Sequence, residues 1–187
     1  MVRRMAATPA YALIFSAITL SACWSSRTVV CGAVSATVPA SFRVSAGDGD
    51  SVMMIADEAI GMYRPTIHVH RRERPTSDGD LRREHERLSA ELVKLGHKVG
   101  KLEEAIVDGR RGWSYTQQYT ESVARMFEST AKDDSTRVVE HHKMELQLST
   151  QDDTYVVSFV CPVALLEKYR PIFNGFLRSM RFAERKP

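Results

Sequence analysis

Apolar and polar positions alternate with a period of two along most of this chain, and follow a helical period in two stretches. Residues 38–45 alternate around Phe42 and Val44 and predict a first strand, which Gly47, Asp48, Gly49 and Asp50 end as a turn. The run Val52, Met53, Met54, Ile55 predicts a buried strand over 51–56. Over 65–72, Ile67 and Val69 point one way and Thr66, His68, His70 and Arg72 the other. Residues 98–107 and 112–121 predict a hairpin turning over 108–112. Its second arm alternates Trp113, Tyr115 and Tyr119 with Ser114, Thr116, Gln118 and Thr120. A second hairpin places Val138, His142, Met144, Leu146 and Leu148 on one face of 136–149, turns at Thr150 to Asp153, and returns over 154–161.

The first helical stretch sets Leu81, His85, Leu88, Leu92 and Leu95 on one face, with Asp80 as the expected N-cap and Gly96 as the stop. Arg82 and Glu86, and Arg87 and Glu91, pair at i, i+4 on its polar side. The second, over 165–180, carries Leu165, Tyr169, Ile172, Phe173, Phe176, Leu177 and Met180 as a wide apolar stripe. Pro171 conflicts with an unbroken helix, which favours a main helix beginning at Pro171 after a looser turn. Hairpins dominate the order, so the predicted class is α+β, an antiparallel sheet with helices packed on it.

Ahead of these elements stand Arg3 and Arg4, a mostly apolar run from Ala10 to Leu20, and then Ser21, Ala22 and Cys23. An apolar run of about 11 residues makes a helix of roughly 16 Å, half a hydrocarbon core, too short to span it. The pattern resembles the bacterial lipoprotein signal. That resemblance implies cleavage after residue 22 and acylation of Cys23, whose acyl chains anchor the mature protein to a membrane. The small, polar stretch that follows reads as a lipidated tether over 23–36, ahead of a single domain over 37–183.

Removing the leader changes the charge. The chain carries 26 Lys+Arg and 23 Asp+Glu; without Arg3 and Arg4 it is nearly neutral, which argues against nucleic acid as a partner. The mature chain of about 165 residues is long enough for one domain with a sizeable core. Cys31 and Cys161 meet a non-cytosolic space, so a disulfide between them is one reading; Cys161 as a small core hydrophobe is the other.

Three groups are candidates for chemistry. His68 and His70 sit on one side of a strand, and His141 could join them as a metal set, with Asp57 and Glu58 as possible oxygen ligands; solvent-facing histidines are the alternative. Arg110, Arg111 and Trp113 could form a partner surface, or be core aromatic and solvated hairpin tip. Arg71, Arg72, Glu73 and Arg74 could meet anionic headgroups or form a solvated loop. No nucleophile elbow, P-loop or dinucleotide fingerprint occurs, so no catalytic residue and no cofactor is expected.

The carboxy-terminal pattern, Tyr155-Val156-Val157-Ser158-Phe159 followed by Pro171 to Phe182, resembles the closing strand and helix of the PsbP/Mog-like superfamily, which includes the DcrB-type and LpqN-type lipoproteins. Val38-Pro39-Ala40-Ser41-Phe42 is similar to its opening strand. The resemblance implies an α/β/α sandwich around a twisted antiparallel sheet, and binding to proteins with no shared catalytic set. The expected function is therefore a non-enzymatic binding or accessory lipoprotein of the bacterial cell envelope with a protein partner. A metal-binding lipoprotein and a carrier of an apolar ligand are the alternatives.

Overall fold

The computed structural model describes residues 25–47, 49–123 and 137–183. Residues 1–24, and with them the leader and Cys23, lie outside the described residues.

Among the described residues the strands form two sheets. The larger has eight strands in the order β3 (Phe42–Ala46), β4 (Ser51–Ala56), β5 (Thr66–Arg72), β10 (Thr154–Pro162), β9 (Arg137–Ser149), β8 (Arg110–Val123) and β6 (Lys98–Val99), with β7 (Glu103–Val107) also paired to β8. Every pairing is antiparallel. The smaller sheet has the order β1 (Ser26–Cys31), β2 (Val34–Pro39) and β11 (Arg181–Phe182).

Two helices complete the fold, α1 (Asp78–Lys94) and α2 (Leu166–Ser179). The alternation along β8 and β9 assigns them to opposite faces. Trp113, Tyr115, Glu145 and Gln147 point one way, and α1 packs there: the indole of Trp113 donates to Asp78 at 2.8 Å and His85 sits 4.8 Å from the Tyr115 ring. Met144, Leu146 and Leu148 point the other way, together with Phe159, whose ring stacks on Phe173 of α2 at 4.7 Å. The main core lies on this second face, where α2 and the small sheet cover Phe42, Met54, Ile67, Val69, Tyr155, Val157 and Phe159. The architecture is the expected α+β sandwich.

Several boundaries differ from the sequence reading. The stretch expected as a tether holds β1 and the first half of β2, with Val29, Cys31, Val34 and Ala36 buried in the core. Its small residues suit a strand pressed against a sheet as well as they suit a tether. The expected first strand is two: Ala40 and Ser41 turn the chain between the small sheet and the large one. Helix α1 starts earlier than Asp80, with Ser77 as N-cap accepting the Asp80 amide at 3.2 Å. Asp108 and Gly109, both at positive φ, turn β7 into β8 in two residues, so Arg110 and Arg111 belong to the strand. Pro171 lies inside α2, which runs continuously past it. The hydrogen bond it forgoes would reach back to the Glu167 carbonyl, one turn from the exposed start of the helix.

Both margins of the large sheet are short. β3 has five residues, and the far side of β8 is covered by two pieces, β6 and β7, separated by Gly100 to Leu102.

Candidate functional site

An opening lies between the C-terminal half of α2 and the strands β7, β8 and β9. It has a volume of about 500 Å³. Ala105, Val107, Met144, Leu146, Phe173 and Leu177 give it an apolar lining, and Asp108, Asn174 and Arg178 add polar groups. The helix stripe and the alternation of β9 supply these side chains: Phe173 and Leu177 are one turn apart, and Met144 and Leu146 share a strand face. Asp108 is held in place by accepting the Phe182 amide at 2.9 Å. A cleft of this size and polarity is suited in shape to an apolar group oriented by few polar contacts.

A second concavity of about 460 Å³ lies between the Pro39–Ser41 turn and the start of α2, lined by Ser25, Glu58, Lys168, Tyr169 and Ile172 among others. There Glu58 accepts from Lys168 at 2.5 Å and from the Tyr169 hydroxyl at 3.0 Å. Those two donors hold the Glu58 carboxyl below its ordinary value, while burial, followed by Glu58, pushes the Tyr169 phenol up to about 12.

The candidate metal set does not converge. His68 and His70 do neighbour each other, with ring centroids 6.2 Å apart, and His68 Nε2 lies 2.7 Å from Ser51 Oγ. His141 is on the same face but beyond β10. Ser158 pairs with His68 and Pro162 with His141, an offset of four residues, or about 13 Å along the strand. Among the described residues no three His, Cys, Asp or Glu side chains could hold a metal together.

His141 instead belongs to a line of rings that sequence reasoning missed: His97, Tyr119, His141 and Tyr63. His97 and Tyr119 stack at 5.2 Å, Tyr119 and His141 stack at 5.2 Å, and Tyr63 meets His141 edge-on at 4.5 Å. His141 is 2% exposed and neither ring nitrogen has a hydrogen-bond partner. Burial pushes its pKa down, against the opposing pull of Glu121 at 3.8 Å. A buried imidazole without acceptors is held neutral and acts as an aromatic filler here.

Arg110, Arg111 and Trp113 do not form one surface. Trp113 is only 6% exposed, under α1, with Arg82 and Arg111 over its ring at 4.7 and 5.2 Å. Arg111 pairs with Glu104 at 2.9 Å. Arg110 points to the other face and stacks on Phe182 at 4.7 Å. Nor are Cys31 and Cys161 bridged; both are buried thiols. Cys31 faces the Val69 carbonyl, and Val69 pairs with Val157, four residues from Cys161, too far for a disulfide.

No protein-family model and no curated protein matches this chain. Solved structures do match its shape. The yeast (Saccharomyces cerevisiae) Ran-binding protein Mog1p aligns over 86% of this chain and 97% of its own, with a TM-score of 0.51 and 11% identity. The fold is PsbP/Mog-like. Cyanobacterial PsbP from Synechocystis aligns over 85% and 93%, with a TM-score of 0.54 and 11% identity. LpqN, described as involved in cell envelope biogenesis of Mycobacterium tuberculosis, aligns over 86% and 91%, with a TM-score of 0.53 and 13% identity. At such identities the PsbP/Mog-like assignment describes the backbone arrangement, and function has to be argued from the side chains of this chain.

Proposed function

We propose that the protein is a bacterial cell-envelope lipoprotein, anchored through acyl chains on Cys23, that acts as a non-catalytic binding module for a protein partner. The observation that carries this reading is the open apolar cleft beneath α2, ringed by Asp108, Asn174 and Arg178. It suits an apolar side chain of a partner, with the polar groups fixing its orientation. The lipoprotein pattern of the leader supports the anchor; Ran-binding by Mog1p agrees with a binding function, and the involvement of LpqN in cell envelope biogenesis agrees with an envelope setting.

A photo-crosslinking residue in place of Asn174, on the exposed side of the cleft, tests it in intact cells. The reading expects one discrete protein adduct at Asn174 and none at Gln151 in the turn between β9 and β10. Equal, diffuse labelling at both positions counts against it. The apolar lining also favours a second reading, a carrier of an apolar small molecule. Native mass spectrometry of the purified protein separates the two, because only a carrier retains a stoichiometric ligand mass.

A further inference from the structure

The end of the domain nearest the proposed anchor is built without slack. Strand β1 begins at Ser26, and the carbonyl of Ser25 accepts the Ala40 amide at 2.8 Å. The guanidinium of Arg27, one residue further, donates to the carbonyls of Ala40 and Phe42. Two residues of fully extended chain reach at most about 7 Å, so Cys23 stays within that distance of Ser25.

Strand register then defines which part of the molecule shares that end. Phe42 pairs with Ala56, Ile55 with Thr66, Thr66 with Val160, Pro162 with His141, and His141 with Tyr119. The segment from Asp57 to Pro65, the start of α2 and the far ends of β8 and β9 therefore all lie at the Ser25 end. So do three exposed large apolar side chains, Met62 at 71%, Val138 at 61% and Leu95, just after α1, at 73%, while Val30 and Ile106 are exposed at the other end. Among the described residues Lys168 pairs with Glu58 and Arg43 with Asp57 at this end, and the Arg64 guanidinium donates to the Ala56 and Asp57 carbonyls. The Arg71–Arg74 group lies at the opposite end, where Arg71 binds Asp50 and Asp153. Protruding apolar groups beside ion pairs fit a zwitterionic headgroup layer.

We propose that this end of the domain rests directly on the bilayer that holds Cys23, with the Pro39–Ser41 turn and Met62 at headgroup depth and the Thr150–Asp153 turn facing away. The proposal rests on the lipoprotein reading of Cys23. It gives the protein a fixed orientation where a long tether would leave it free to tumble. Strand β10, nine residues long, sets the two ends about 30 Å apart, so they experience different surroundings.

The test uses the full chain, expressed in a bacterium, purified from membranes and reconstituted in phosphatidylcholine vesicles. Nitroxide labels are placed singly through Ser41→Cys, Met62→Cys and Gln151→Cys, and collision with a water-soluble nickel complex is compared with and without vesicles. The expected result is a several-fold drop in collision at positions 41 and 62 and no change at 151. Equal behaviour at all three positions overturns the orientation. Mass spectrometry of the Cys23 peptide is read alongside. Absence of the acyl mass overturns the lipoprotein reading and this proposal with it, whereas an acylated Cys23 with uniform collision overturns the orientation alone.

Discussion

The amide of Ala33 donates to the hydroxyl of Tyr155 at 3.0 Å, tying the turn of the small sheet to a central strand of the large one. Gly32 stands beside that bond at φ +56°, and a Cβ there would lie 2.9 Å from the Tyr155 oxygen. Tyr155→Phe is expected to destabilise the domain by about 1–3 kcal/mol, the cost of leaving the amide unsatisfied. Gly32→Ala should cost at least as much, because strain in the left-handed region adds to the clash. Urea unfolding of both variants checks the pair; an unchanged midpoint in both would sink the account.

His141, His142 and His68 all have pKa values lowered chiefly by burial. The unfolded chain binds protons near pH 6.5, where the folded chain does not. Their contribution is therefore fully present above pH 6.5 and is lost as pH falls through that value towards the lower folded pKa values. Stability should decline between pH 7 and pH 5. His141→Phe, which keeps the ring stack and removes the titration, should flatten part of that slope. Thermal melts across the pH range read it.

The Trp113 indole donates to Asp78 in the first turn of α1. Asp78→Ala should lower stability by about 1–2 kcal/mol, since the indole loses a charged acceptor. The emission of Trp113 should change as its surroundings loosen; a spectrum identical to wild type would contradict the contact.

Burial, helped by the charge of Glu58, raises the Cys161 thiol to about 12. A chromogenic disulfide reagent should leave Cys161 unmodified in the folded protein at pH 8 and titrate it after denaturation, because the thiolate is the reacting form. Rapid modification of Cys161 in the native state would contradict the burial.

Much of this fold is legible in the sequence, for local reasons. The β9–β10 hairpin has long alternation and a turn in which Thr150 bonds Asp153 through both backbone and side chain. Helix α1 has a capped start and Gly96 at its end. β1 and the first half of β2 are not legible, because Val29, Cys31, Val34 and Ala36 alternate over runs too short and too small to stand out. Their burial depends on α2 and a sheet distant in sequence. The candidate site is less legible still. His97, Tyr119, His141 and Tyr63 come from four separate segments, and the cleft beneath α2 exists only once Phe173 and Leu177 meet Met144 and Leu146. Trp113 illustrates the converse: an aromatic beside two arginines looks like a contact surface until α1 covers it.

The short margins of the large sheet have a consequence for crowding. Exposed edge strands template the pairing of one molecule with the next, and long flat edges do so best. Here one border stops after the five residues of β3 and the other is broken between β6 and β7. Among the described residues the pieces on these two borders are five residues or fewer, which limits the ladder a second copy could extend from them. Borders this short or broken are poor templates for edge-to-edge pairing when molecules are concentrated in a thin layer.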